Sequence, residues 1–289
     1  MTVERLRIYH KPDLTAPALV LGFTGWMDGG DVSTGAVDYL RVKLGSVAFA
    51  SIDPEPFYLY NFPGSMEIAS LFRPHVKIED GIIQQFDLPN NSFYADVDHN
   101  LILFEGKEPN LNWQSFGNCI FQLCEQFDVQ RIIFVGSVSG LTPHSREPRF
   151  SGSISQFRLR PKLEKFGIRF SQYEGPASFI TYLTSRAAKN DIDMITLIAE
   201  VPAYLQGYNP KCVSAAVRCI SSLLELHINC DDLLNLSDEF EKRVNDLVQQ
   251  QPELAQRVQQ LEEIYDSEMF DTEMGDLKNW LHQRGIRLD

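Results

Sequence analysis

The chain has 289 residues, 44% of them hydrophobic and 22% charged, which is ample apolar material for a core, and it carries a formal net charge of −13. An acidic chain with no basic patch among its aromatics repels phosphate backbones, so nucleic acid is not an expected partner, and no run reaches the roughly 18 apolar residues of a membrane span. The opening Met1-Thr2-Val3-Glu4-Arg5 lacks a basic-then-apolar leader, and five cysteines at irregular spacings suit reduced thiols, so a cytoplasmic location is expected.

In chain order, Leu6 to Tyr9 reads as a first strand, and the short apolar run Ala18 to Phe23 as a buried one. Asp28 to Leu44 reads as a helix whose stripe is Val32, Ala36, Val37, Leu40 and Leu44. Strands follow at Val47–Ile52, Gly81–Phe86 and His99–Phe104, then a helix at Trp113–Phe127 and a buried strand at Arg131–Val135 ending at Gly136. A helix is expected across Ser155–Phe166 despite Pro161, another at Ala177–Lys189, a strand at Met194–Ala199 closed by Pro202, and a helix at Val213–Leu226. Strands alternating with helices predict an α/β fold with a sheet covered on both faces.

Beyond Asp231 the strand signals stop. Leu233, Leu236, Phe240, Val244, Leu247 and Val248 keep helical spacing, as do Leu254, Val258, Leu261, Ile264 and Tyr265 after Pro252. Leu277, Trp280 and Leu281 predict a last short helix stopping at Gly285. Residues 231–289 hold 15 acidic and 6 basic residues, a net of −9. Two units are therefore expected: an α/β domain over 1–230 and an acidic helical appendage over 231–289. The 254–265 helix has an apolar stripe and an acidic face, which packs on its own domain or mediates subunit contacts.

Two segments invite a chemical reading. The turn Gly22-Phe23-Thr24-Gly25-Trp26-Met27-Asp28-Gly29-Gly30-Asp31 joins a buried strand to a helix, where phosphate-cradling loops occur. It has no G-x-G-x-x-G, and Asp31 stands where a Walker loop needs lysine. Asp28 and Asp31 instead suit the helix N-terminus as an N-cap and a capping-box-like partner, with Trp26 expected to plug the core. The loop Thr142-Pro143-His144-Ser145-Arg146 follows a buried strand. There His144 could be a general base and Arg146 an anion clamp, with Glu105, Glu108 and Glu200 converging from strand ends. The other role for His144 and Arg146 is to bridge loops or subunits by hydrogen bonds, and that is the expectation adopted. Gly136-Ser137-Val138-Ser139-Gly140 has valine where a nucleophile elbow needs serine. The six histidines are scattered without H-E-x-x-H, Cys119 and Cys124 lack C-x-x-C spacing, and no metal site is expected. Cys212 and Cys219, seven apart on one helix, read as small core residues.

The run Gly22 to Gly30 closely resembles the G-[FW]-x-G-W-x-D-[AG]-G signature of the PAC2 family, the proteasome assembly chaperone 2-like proteins. The loop Pro143-His144-Ser145-Arg146 resembles the family's Pro-His-[ST]-Arg loop, and Glu147-Pro148 follows where many members have proline directly. Gly175-Pro176 and Val201-Pro202-Ala203-Tyr204-Leu205 are similar to its Gly-Pro turn and Val-Pro-x-Tyr segment. Leu261 to Asp266 resembles the C-terminal extension of bacterial-type members, so the resemblance spans nearly the whole chain. It implies a three-layer α/β sandwich around a central, mostly parallel or mixed sheet, akin to nucleoside phosphorylases, with a helical C-terminal appendage. It also implies a homo-oligomer, with a homotrimer the expected state, protein partners rather than a substrate, and no cofactor. Gly25, Trp26, Asp28, Gly29, Gly30, Thr142, Pro143 and His144 are then the binding or turn motif, and His144, Arg146 and Glu200 the candidate catalytic set. Proteasome-binding archaeal relatives carry a hydrophobic-Tyr-x tail. This chain ends Arg287-Leu288-Asp289, so tail docking is not expected. The alternative is a small-molecule hydrolase or transferase on a phosphorylase-like fold.

Overall fold

The computed structural model describes the backbone from Arg5 to Gln283 and side chains to Phe270. The expected stop at Gly285 and the terminal Arg287–Asp289 lie outside the described residues, as do the side chains of Leu277, Trp280 and Leu281.

The strands, in order, are β1 (Leu6–Ile8), β2 (Ala18–Thr24), β3 (Val47–Ile52), β4 (His75–Glu79), β5 (Ile82–Asp87), β6 (Ser92–Asp96), β7 (Leu101–Lys107), β8 (Arg131–Gly140), β9 (Phe150–Ile154), β10 (Arg169–Phe170) and β11 (Asp193–Pro202). The helices are α1 (Val32–Leu44), α2 (Met66–Ser70), α3 (Trp113–Phe127), α4 (Arg160–Glu164), α5 (Phe179–Lys189), α6 (Pro210–Leu224), α7 (Asp231–Gln249) and α8 (Pro252–Gln283). A nine-stranded sheet runs β1-β3-β6-β7-β2-β8-β11-β9-β10. Its centre, β7-β2-β8-β11, is parallel and its flanks are mostly antiparallel, so the sheet is mixed. β4 and β5 form a separate hairpin.

Side chains alternate across the pleat, and both faces are covered. Leu19, Leu21 and Phe23 of β2, with Ile132 and Phe134 of β8, join Phe116 and Phe179 under α3 and α5. Val20, Ile133 and Val135 face the other way, into Val37 and Leu40 of α1 and Val213, Val217 and Ile220 of α6. These are the three layers expected. α7 packs on α6, and α8 folds back on α7 around Val244, Val248 and Val258.

Several boundaries differ for identifiable reasons. The expected 28–44 helix is a 3-10 turn, Gly29–Asp31, followed by α1, because Gly30 (φ 64°) takes a left-handed conformation that breaks the first turn. Pro161 does not interrupt a long helix. It stands in the first turn of α4, where its missing N–H costs nothing. Asn100, at φ 52°, ends a tight turn before β7, so that strand starts two residues later than expected and pairs with β6 as a hairpin. From Pro252 one continuous helix, α8, stands where two were predicted. Among the described residues no helix is long and apolar enough to cross a membrane. None of their His, Cys, Asp and Glu groups is placed to hold a metal ion.

Candidate functional site

The parallel strands β2, β7, β8 and β11 end on one side of the sheet, and the two motif loops leave from there. Asp28 lies just before α1. Its Oδ1 accepts from the backbone N–H groups of Ser33 (2.8 Å) and Thr34 (3.1 Å), and its Oδ2 from the Thr34 hydroxyl (2.8 Å). Thus Asp28 supplies the negative charge that the helix N-terminus favours, in the place an anionic ligand would take. Burial pushes its carboxyl up to about 6 despite these three bonds. Asp31 makes no capping bond, so the expected capping box does not form. The turn is tied to β8, with Ser137 N–H donating to Met27 O (2.9 Å) and the Ser137 hydroxyl to Gly29 O (2.6 Å). Gly30, at its positive φ, abuts Asn209, whose Oδ1 caps α6 at Cys212 N–H (3.0 Å).

Trp26 is not a core plug: it is 61% exposed. The reason is Glu108, which receives Trp26 N–H at Oε2 (3.1 Å) and Phe179 N–H at Oε1 (3.0 Å) and so holds the turn outward beside Gly25. The core below is already filled by Phe23, Phe104, Phe116 and Phe179. Leu141, just after β8, is exposed on the same rim.

The 142–146 loop is committed to internal contacts. The Thr142 hydroxyl donates to Glu200 Oε2 (2.9 Å). His144 is only 2% exposed. Its backbone N–H donates to the Tyr204 hydroxyl (2.8 Å), which in turn donates to Nδ1 (2.7 Å), while Nε2–H donates to Asn245 Oδ1 of α7 (3.0 Å). That pattern uses a neutral ring, and burial lowers the His144 pKa below its ordinary value. Lys211 Nζ donates to His144 O (2.8 Å) and pairs with Glu241 of α7. The Ser145 hydroxyl donates to Glu262 of α8, and Arg146 forms a bidentate pair with Asp266 (2.8 Å for each bond). Arg149 lies over the Tyr265 ring (4.1 Å to its centre) and pairs with Glu268 (2.7 Å).

His144 and Arg146 therefore clasp α7 and α8 to the loop. Of the three carboxylates expected to converge, only Glu200 reaches the loop. Glu105 lies beside Arg41, and Glu108 serves the Trp26 turn. The space left among Thr142, Pro143, His144, Pro202, Lys211 and Phe240 is about 10 Å³, room for no more than about one water. A larger, open depression of about 680 Å³ is lined by Arg218 and His227 and by no residue of either motif. Sequence reasoning missed Asn245, Lys211, Glu262 and Asp266, which meet the loop from 67 to 120 positions away, and Glu241, which pairs with Lys211. Tyr204 carried a signal, because it lies in the Val-Pro-x-Tyr segment.

A family model described as the PAC2 family matches residues 22–248, from the first glycine of the turn to within α7. The fold is similar to that of a Mycobacterium tuberculosis protein of unknown function, at 23% identity and a TM-score of 0.82, over 94% of this chain and 92% of that one. A Mycobacterium tuberculosis proteasome-assembly chaperone homologue matches at 25% identity and a TM-score of 0.73, over 83% and 99% of the two chains. Pyrococcus furiosus PbaB, an archaeal proteasome activator, matches at 18% identity and a TM-score of 0.61, over 84% and 97%. A search among curated proteins finds no match.

Proposed function

The chain belongs to the PAC2 family, and from that membership we propose a non-catalytic, protein-binding role of the assembly-chaperone kind. In this reading the chain acts in the cytoplasm as a homo-oligomer of three copies, without a cofactor. Its partners are other protein subunits, with proteasome subunits the first class to examine because a similar structure is a proteasome-assembly chaperone homologue. The 1–230 α/β domain carries the contact surface, and helices α7 and α8 of the acidic appendage brace it.

One observation carries this reading. The loop with the best chemical side chains is filled by its own chain, while Trp26 is presented to solvent at the strand ends. Tryptophan is a side chain on which protein interfaces concentrate binding energy, and an exposed one on a fixed turn is already positioned for contact. The space of about 10 Å³ beside the 142–146 loop is too small to seat the substrate of a hydrolase or transferase.

The test is affinity capture from source lysate with the tagged full chain and its Trp26→Ala variant, identifying bound chains by mass spectrometry. A stoichiometric protein is expected with the native chain. The variant should hold it at least about 30-fold more weakly, the effect of an interface hot spot, with an unchanged melting temperature. Equal capture by both chains would remove Trp26 from the contact surface.

A further inference from the structure

The connection from β3 to β6 makes a long excursion: it starts buried at Phe57 and Tyr58, and its outer part is left uncovered among the described residues. β3 is antiparallel to β6, and β6 to β7, so this connection leaves from the same strand ends as Trp26 and Leu141. It is tied there by Leu59 N–H to Asn110 Oδ1 (3.2 Å), just after β7. It then forms α2 and the β4–β5 hairpin, in which every residue of both strands is exposed.

The hairpin is two-faced. Val76 pairs with Phe86 and Ile78 with Ile83, and a bulge after Lys77 keeps these four on one side. The other side carries the pairs His75–Asp87, Lys77–Gln85 and Glu79–Ile82. Val76, Ile78, Ile83 and Phe86 are 42–61% exposed. A two-stranded ribbon is at best marginally stable alone in water, and an apolar face on it needs a covering layer. Open, apolar strand edges also invite pairing unless they are occupied.

We infer that this face seats against another copy of the same chain, which deepens the protein-binding reading above and rests on it. Area is the first argument. With Met66, Ile68 and Leu71 around α2, the exposed apolar surface is on the order of 800 Å², what one side of a standard interface buries. Charge is the second. Copies of a −13 chain repel, yet residues 61–90 hold only four acidic and two basic residues, against a net −9 in residues 231–289. The acidic helices pack on the α6 side, whereas the hairpin rises beside β3 and β6, so copies can meet here with the acidic helices held apart. Permanence is the third. An apolar face built into the fold needs covering whenever the chain is made, and a further copy is available then at equal amount.

The test is sedimentation velocity of the full chain and of Ile83→Lys, with Gln85→Lys on the opposite face as control. The native chain and Gln85→Lys are expected to sediment as one assembly. Ile83→Lys should dissociate at least about 30-fold more readily, with its far-UV spectrum and melting of the monomer core retained. Val76→Glu, a second variant on the apolar face, should repeat the result if Ile83→Lys folds poorly. A native chain that sediments as a single copy, or an Ile83→Lys assembly as tight as the native one, would overturn the inference. If the native chain is a single copy and Ile83→Lys loses a captured foreign protein, the hairpin serves that protein instead. Self-association then fails while the protein-binding reading stands.

Discussion

His144→Ala is expected to destabilise the chain by about 3 kcal/mol, a drop of about 5–10 °C in melting temperature, and to loosen α7 first. The ring is buried and makes both of its hydrogen bonds, to Tyr204 and Asn245. Its removal leaves a hydroxyl and an amide oxygen without their partner and a void beside Phe240. The pH dependence follows from the lowered pKa. The folded chain favours the neutral ring, so this stabilisation is complete above about 6.5, the ordinary histidine value. It is lost as pH falls from there through the depressed folded value, because the unfolded chain then binds the proton more readily. Thermal melts across that window should show the slope in the native chain and a shallower one in His144→Ala. An unchanged melting temperature, with amide exchange in α7 no faster, would mean that the loop does not clasp the helices.

Gly22→Ala is expected to cost about 2–3 kcal/mol by overpacking. A Cβ there would stand 2.7 Å from Val37 Cγ2 and 2.8 Å from the Ser33 backbone oxygen, and the second contact cannot be relieved by a rotamer change. The crowding is a consequence of how α1 sits. The Ser33 hydroxyl accepts from Phe23 N–H (3.0 Å) and donates to Val135 O (2.6 Å), stapling the helix between β2 and β8. The first glycine of the motif thus sets helix-to-sheet distance, and its loss should also displace the Asp28 cap and the Trp26 turn. Denaturant unfolding of the variant measures the first effect, and Trp26 fluorescence reports the second.

Where local pattern and tertiary environment agree, the fold was legible. Trp113 to Phe127 forms a helix with both expected ends, and of the expected α1 stripe Val32, Ala36, Val37 and Leu40 are buried and Leu44 half-buried. The apolar runs of β2, β8 and β11 are buried on both faces, and Cys212 is core. β9 was not legible, because Phe150-Ser-Gly-Ser-Ile has little strand propensity and is a strand only through pairing with β11. The site was half legible. Motif spacing located Asp28 and His144, and the helix-capping argument for Asp28 followed from residue type alone. The direction of Trp26 did not, since it depends on Glu108, 82 positions away, and on a core already filled by phenylalanines. Nor could sequence pair Arg146 with Asp266, because that requires α8 to fold back over the loop.

The proposed function stands on the strand-end rim being a protein contact surface. Backbone amide exchange on the full chain, alone and saturated with the protein it captures, tests this most directly. Slowed exchange is expected at Gly25–Met27 and at Ser139–Leu141 in the complex, with the 142–146 loop, already bonded internally, little changed. Unaltered exchange across both rim segments, with protection confined to the outer face of α7 and α8, would contradict it.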